Sequence, residues 1–309
     1  MEKVIVIVGP TCSGKTHLSL QLAKILETEI ISADSRQVYK LLDIGTAKPS
    51  TQQLKKIKHH FIDELNPDED FNASMFAEEA ELILQSLIDK NKIPIVVGGS
   101  GLYIKGLIDG ISESADSNSE LRLELLELRQ KYGNDYLYEE LKKVDRISTD
   151  KMLPQNWKRV IRAIEVIRLT GKPIWQHHTE AKKNNNFTYQ QIGFKWERSE
   201  LYKNIELRVD EMIETGLVEE VKSILKSGYD KKLNSLNTVG YKEIIQYLEN
   251  EISLNRAVEL IKRNTRRFAK RQMTWFNADK RIEWFNVNSI NDLDLLAEKI
   301  TKEINERKN

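Results

Sequence analysis

The chain of 309 residues is 40% hydrophobic and 31% charged, enough for about two domains with sizeable cores and well-solvated surfaces. Its 48 basic and 47 acidic side chains nearly cancel, so the net charge of +1 excludes a chain that is basic throughout and leaves any nucleic-acid surface to be sought in the distribution of charge. A single cysteine, Cys12, excludes an intramolecular disulfide and a cysteine-rich metal site, and it suits a reducing cytoplasm.

The apolar run 4–8 is too short to cross a membrane and lacks a signal peptide's cleavage region; it predicts a first strand ending at Gly9-Pro10. Leu18, Leu22, Ile25 and Leu26 then recur at helical spacing, and Ile30-Ile31 predicts a second strand before Asp34. Residues 73–87 read as a helix capped by Asn72, and 93–97 as a third buried strand ending at Gly98-Gly99. This alternation predicts an α/β fold with a parallel sheet. After a small, polar stretch at 112–119, Leu121, Leu125 and Leu128 keep one helical face, and a second helix covers 157–169 before Gly171-Lys172-Pro173. The polar run 182–186 reads as a boundary, so 118–185 is a helical insertion between core segments 1–117 and 186–309. The second core segment is expected to hold a strand at 191–196, two helical segments and a late strand at 281–287.

Gly9-Pro10-Thr11-Cys12-Ser13-Gly14-Lys15-Thr16 matches G-x-x-x-x-G-K-[ST] between a predicted strand and a predicted helix, the context that the motif requires. Glycines let backbone N–H groups wrap phosphate oxygens, and the helix N-terminus adds a favourable field. Lys15 supplies a positive charge and Thr16 a hydroxyl for Mg²⁺. The motif specifies a diphosphate or triphosphate ligand, not a reaction. Most proteins with this loop also carry a Mg²⁺-holding carboxylate after a buried strand. Here the 93–97 strand ends in Gly98-Gly99-Ser100-Gly101, which invites another chemistry.

Near the end of the chain Arg263, Arg266, Arg267, Lys270 and Arg271 fall on one helical face. Between 256 and 281 nine Lys and Arg stand against Glu259 and Asp279 alone, so the face lacks nearby acidic partners and points to salt-sensitive phosphate contacts. Phe268, Trp275 and Phe276 could stack on bases, but core packing accounts better for their spacing. The adjacent pairs His59-His60 and His177-His178 point apart on a strand and share no helix face; with His17 they read as surface or core residues, not metal ligands.

Six blocks stand in order along most of the chain: 9–16 (GPTCSGKT), 34–49 (DSRQVYKLLDIGTAKP), 97–103 (VGGSGLY), 158–165 (KRVIRAIE), 238–241 (TVGY) and 265–275 (TRRFAKRQMTW). Together they resemble the tRNA dimethylallyltransferase (tRNA isopentenyltransferase) family, bacterial type. The resemblance implies a P-loop NTPase-like parallel core holding dimethylallyl diphosphate in place of ATP, and an inserted helical domain that grips the tRNA anticodon arm. It implies prenyl transfer to the exocyclic N6 amine of the adenosine 3′ of the anticodon; the loop chemistry adds Mg²⁺ on Thr16, and a monomer in the cytoplasm is expected.

The resemblance places the general base at Asp34, for which a Mg²⁺ ligand or a helix cap is the plain structural alternative. It assigns charge stabilisation of the leaving diphosphate to Ser100 and Arg122, and a diphosphate contact to Arg208. It places tRNA contacts at Asp34, Ser35, Arg36 and Gln37, at Lys158, Arg159 and Arg162, in residues 237–244, and at Lys270, Arg271 and Gln272. Gln37 could bond an adenine edge in two directions. The chain departs from the family at Arg146, where proline is usual, and at Leu153, where histidine is usual. One cysteine cannot build the zinc finger of eukaryotic relatives. Two rivals read the loop otherwise: a nucleotide or small-molecule kinase, and a nucleotide-gated RNA-binding protein with no catalytic role for Asp34.

Overall fold

The structure, a computed structural model, describes residues 2–111, 118–180 and 187–306, without the side chains of 178–180 and 305. The expected boundary residues 112–117 and 182–186 lie outside the described residues.

In chain order the elements are β1 (Glu2–Val8), α1 (Lys15–Ile25), β2 (Ile30–Ser32), α2 (Thr51–Lys56), β3 (His59–His60), α3 (Ala73–Asp89), β4 (Ile95–Gly98) and α4 (Gly101–Asp109). Then come α5 (Ser119–Val144), α6 (Arg146–Thr149), a 3₁₀ turn (Pro154–Asn156), α7 (Trp157–Thr170) and α8 (Ile174–Glu180). The chain finishes with β5 (Phe187–Trp196), α9 (Arg198–Glu214), α10 (Leu217–Lys226), α11 (Tyr241–Leu248), α12 (Leu254–Asn277), β6 (Glu283–Val287) and α13 (Ile290–Glu306).

The six strands form one parallel sheet in the order β3-β2-β4-β1-β5-β6. Parallel strands need crossovers that cover both faces, so a central strand is apolar on both sides. β1 obeys this, with every residue from Val4 to Val8 buried. Leu18 and Leu22 of α1 pack with Ile5, Ile7, Ile95, Ile192 and Phe194 of the sheet and Leu293 of α13. Among the described residues no helix is long and apolar enough to cross a membrane.

Several local expectations meet physical limits. Asn72 caps α3 by accepting from the N–H groups of Ser74 (2.8 Å) and Met75 (3.1 Å). β4 begins at Ile95, not Ile93, because Pro94 has no N–H for the ladder. β5 starts at Phe187, four residues earlier than expected; Thr188, Tyr189 and Gln190 hid it by lacking an apolar period. α2 and β3 were missed. α2 buries no residue and rests on a capping box between Ser50 and Gln53, and β3 is a two-residue edge. The two helical segments expected after β5 are four. Gly216, at φ 104°, separates α9 from α10, and residues 227–240 separate α10 from α11.

The chain divides into two compact units, Met1–Ile108 with Asn185–Asn309, and Asp109–Asn184. Among its described residues the second has helices and no strand, with its own core of Leu125, Leu137, Leu141, Val160, Ile161, Ala163 and Ile164. α5 is broken at Gly133 (φ 87°, ψ 177°), and α7 stops at Gly171 (φ 72°).

Candidate active site at the carboxyl ends of the strands

β2, β4 and β1 are consecutive in the sheet, so the loops that follow them emerge side by side. The carboxyl ends of an open parallel sheet are where such folds place ligands. The loop after β1 holds Gly9 to Gly14, that after β2 holds Asp34 to Gln37, and that after β4 holds Gly99 and Ser100. Ala33 N–H donates to Val97 O (2.8 Å) and Ser100 N–H to Ala33 O (3.2 Å), which fixes the second loop to the third.

Lys15 opens α1, and its Nζ donates to Pro10 O (2.7 Å) across its own loop. Burial lowers the Lys15 pKa to about 8; the Asp34 carboxylate opposes this, and the Arg208 guanidinium adds to it. Lys15, Asp34 and Arg208 therefore share one electrostatic environment. Asp34 Oδ1 accepts from Arg36 N–H (2.9 Å), a turn that holds the carboxylate in place. Ser100 Oγ accepts from Ser35 N–H (3.0 Å), so its own proton is left to donate.

Lys15, Asp34 and Arg208 line a cavity of about 620 Å³, and Gly99, the residue before Ser100, borders it. A hollow of about 1310 Å³ shares Thr16, His17, Ala47, Pro49, Arg208 and Glu211 with it. Thr16, in the first turn of α1, and Asp34 both line the smaller cavity. Among the described residues no group of three or more His, Cys, Asp or Glu could hold a metal ion. The residues present fit a Mg²⁺ bound by the Thr16 hydroxyl and otherwise by phosphate oxygens and water.

Three expected contacts are turned inward. Gln37 has both ends of its amide engaged. Oε1 accepts from Ser32 Oγ (3.2 Å), and Nε2 donates to Thr46 O (3.1 Å) and Ala47 O (3.2 Å). It thus ties the 43–49 segment to β2 and does not present a free amide. Gln272, expected among the tRNA contacts, is 7% exposed and likewise has both ends engaged within the protein. In 237–244, Tyr241 is fully buried. Its hydroxyl donates to Glu220 Oε1 (2.6 Å), and burial first, then the Glu220 charge, pushes its pKa up.

Glu220 also accepts from the N–H groups of Asp43 (3.0 Å), Ile44 (2.7 Å) and Gly45 (3.1 Å). A Cβ on Gly45 would overlap the Tyr241 ring. Lys48, nearly covered, pairs with Asp43 (2.6 Å) and Asp63 and donates to Tyr39 O (2.7 Å). Glu220, Tyr241 and Lys48 thus latch the segment that carries Thr46 and Ala47 into the cavity. Sequence reasoning missed this latch. Its only local trace is a glycine in D-I-G-T-A-K-P, far from TVGY.

On α12, Arg263, Arg267, Lys270 and Arg271 are exposed. Arg266 is not free, because it donates to Glu206 of α9 (2.7 Å), and Lys262 pairs with Asp210 (2.6 Å). The expected absence of acidic partners thus holds along the sequence but not across helices. Phe276 packs in the interior at 3% exposure. Phe268 and Trp275, also expected in the core, are 40% and 41% exposed, and the Arg271 guanidinium lies 5.7 Å from the Phe268 ring centre.

In the helical unit Lys158 and Arg159 are exposed, as is Leu153, where the resemblance leads one to expect histidine. Arg162 and Arg122 converge on Glu165 Oε2 (2.9 and 2.7 Å), and Asn118 N–H donates to Oε1 (3.0 Å). Glu165 is fully buried. Both arginines are therefore neutralised in part by a carboxylate that the sequence reading did not pair with them.

The IPP transferase family model matches residues 37–279. The chain is 46% identical to the tRNA dimethylallyltransferase of Alkaliphilus oremlandii, covering 98% of this chain and 97% of that one. It is 48% identical to the tRNA dimethylallyltransferase of Acetivibrio thermocellus, covering 93% and 92%. Among solved structures, the full-length tRNA isopentenylpyrophosphate transferase of Bacillus halodurans aligns with TM-score 0.72 at 35% identity, covering 100% of this chain and 98% of that one. A eukaryotic dimethylallyltransferase captured acting on tRNA aligns with TM-score 0.82 at 28% identity, covering 97% and 78%. These matches extend over both compact units and set aside the kinase reading of the loop. The chain belongs to the IPP transferase family, the family of the tRNA dimethylallyltransferases.

Proposed function

We propose that this protein transfers the dimethylallyl group of dimethylallyl diphosphate to the N6 amine of the adenosine 3′-adjacent to the anticodon of tRNA, releasing diphosphate. The observation that carries the reading is the convergence of Lys15, Asp34 and Ser100 at the ends of adjacent strands, in a chain of this family. The diphosphate lies in the Gly9-to-Thr16 loop, against Lys15 and Arg208. When bound, Mg²⁺ on Thr16 and the substrate's own oxygens neutralises charge there.

An adenine amine is a weak nucleophile because its lone pair is delocalised into the ring. As that lone pair forms a bond to the allylic carbon, the carbon–oxygen bond breaks and its electrons leave with the diphosphate. Asp34 accepts the amine proton through the carboxylate oxygen that Arg36 does not hold. Ser100 donates its free proton to the departing oxygens, and Lys15 supports the charge that gathers on them. The exposed cations of α12, with Lys158 and Arg159, contact tRNA phosphates, and the target base leaves its stack to reach the cavity.

The test is incubation of the pure protein with Mg²⁺, unmodified tRNA and labelled dimethylallyl diphosphate, beside a tube with labelled ATP. Label on the adenosine beside the anticodon is the expected result. ATP turnover without transfer to RNA would overturn the proposal.

A further inference from the structure

Gln272 lies on α12, 7% exposed, with its amide against the ends of two strands. Thr11 N–H donates to Gln272 Oε1 (2.9 Å), and Gln272 Nε2 donates to Gly99 O (3.0 Å), a bond buried from solvent. Thr11 follows β1 and Gly99 follows β4, and these strands are neighbours. One amide therefore spans the two loops. Only one orientation of it works: reversed, it would set its NH₂ against an N–H and its oxygen against a carbonyl.

The packing around it is equally specific. A Cβ on Gly99 would overlap Gln272 Nε2, and a Cβ on Gly101 would overlap the Trp275 ring. The glycines on either side of Ser100 are thus kept small by α12. Arg271, the residue before Gln272, is exposed along with Arg263, Arg267 and Lys270. The same helix shows a cationic row to solvent and a polar clamp to the loops.

We infer that Gln272 is a positioning residue for the diphosphate: it holds the crest of the Gly9-to-Thr16 loop and the Ser100 turn at the spacing both need to grip one diphosphate. The inference rests on the reading of that loop as the diphosphate site. Gln272 borders the cavity, but both ends of its amide are taken up by Thr11 and Gly99, so it acts through those loops.

Two near-isosteric variants isolate the amide. In Gln272→Met both hydrogen bonds are gone. In Gln272→Glu the ionised carboxylate still accepts from Thr11 but repels the Gly99 carbonyl, whereas its protonated form again donates. Burial raises such a carboxyl into an accessible range. The affinity of each protein for inorganic diphosphate with Mg²⁺ is measured by calorimetry at about pH 8 and about pH 5.5, as a ratio to wild type, so that protonation changes of the ligand and of groups common to all the proteins cancel. KM is measured for dimethylallyl diphosphate and for tRNA, and folding is checked by melting curves.

Both variants are expected to bind diphosphate about tenfold more weakly at pH 8, the cost of a buried polar pair left unmade. KM for dimethylallyl diphosphate should rise in parallel while KM for tRNA stays within about twofold. Gln272→Glu should recover most of its affinity at the lower pH, and Gln272→Met should not. Gly99→Ala, which presses on the same amide from the other side, should weaken diphosphate binding as well and serves if Gln272→Met fails to fold. Unchanged diphosphate binding in folded variants overturns the inference. So does a rise in the tRNA KM equal to that for the diphosphate, or no difference between the two pH values in Gln272→Glu. Absence of diphosphate binding and transfer in the wild type overturns the functional reading itself, whatever the variants do.

Discussion

Lys15 and Glu165, one in each compact unit, are withdrawn from water and treated in opposite ways. Lys15 is bonded to a neutral carbonyl of its own loop, with no carboxylate in ion-pair contact among the described residues, and burial lowers its pKa to about 8. Glu165 meets two guanidinium groups and a backbone N–H. Burial pushes its carboxyl up, but the hydrogen bonds of Arg162 and Arg122 outweigh this and hold it below the usual range. A buried charge whose partners lie inside the protein is scaffold. A withdrawn charge facing a cavity without a carboxylate in direct contact is a place prepared for an anion.

The largest effects should come from the loops proposed to hold the base and the diphosphate. Asp34→Ala is expected to lower turnover about 10²- to 10⁴-fold while tRNA affinity changes only a few-fold, read by single-turnover transfer and filter binding. Equal losses in both would remove Asp34 as the base. Lys15→Ala should cost a comparable factor, yet leave the melting temperature unchanged or raised, because a desolvated charge is removed.

The same change in spirit at the scaffold charge should do the reverse. Glu165→Gln strips two arginines of their counterion and is expected to destabilise the helical unit by about 3 kcal/mol, the low end for a broken buried pair, since Arg122 is half-exposed. Denaturant unfolding would record this, with diphosphate affinity unchanged. A loss of diphosphate affinity without a loss of stability would erase the distinction between the two charges. The carboxyl is depressed, so its contribution is present above the ordinary carboxylate range and is lost as pH falls through the folded value.

The Lys15 pKa sharpens the contrast through pH. In the empty loop Lys15 loses its proton as pH rises through about 8, well below the 10.5 of an unconstrained lysine. Between those values the unfolded chain holds the extra proton, so Lys15 makes folding stability rise with pH across that window. Anion binding runs the other way, because a bound diphosphate requires the ammonium. Above pH 8 diphosphate affinity should fall by up to about tenfold per pH unit, with proton uptake visible in calorimetry across buffers of different ionisation enthalpy. Lys15→Arg should abolish this slope.

The smallest effect belongs to the latch. Tyr241→Phe removes one donor from Glu220, which keeps three backbone donors. It should cost about 1 kcal/mol of stability. A loss of turnover far beyond that would place the 43–49 segment closer to the chemistry than a support.

The sequence by itself determined what local chemistry can carry. The G-x-x-x-x-G-K-T loop, the Asn72 cap, the stop at Gly171 and the cationic row of α12 depend on residues a few positions apart, where backbone geometry and helical period act directly. The six family blocks implied the chemistry. The tertiary structure decided which of those residues face which. Thr11 and Gln272 are 261 positions apart, and Ser35 and Ser100 are 65 apart. No local propensity links them; the order of strands in the sheet and the seating of α12 do. The same reason explains the reassignments. A glutamine, a tyrosine or an arginine carries equal polar capacity on either face of its helix, and only the neighbours that packing supplies, Gly99, Glu220 or Glu206, fix whether it reads solvent or holds the site together.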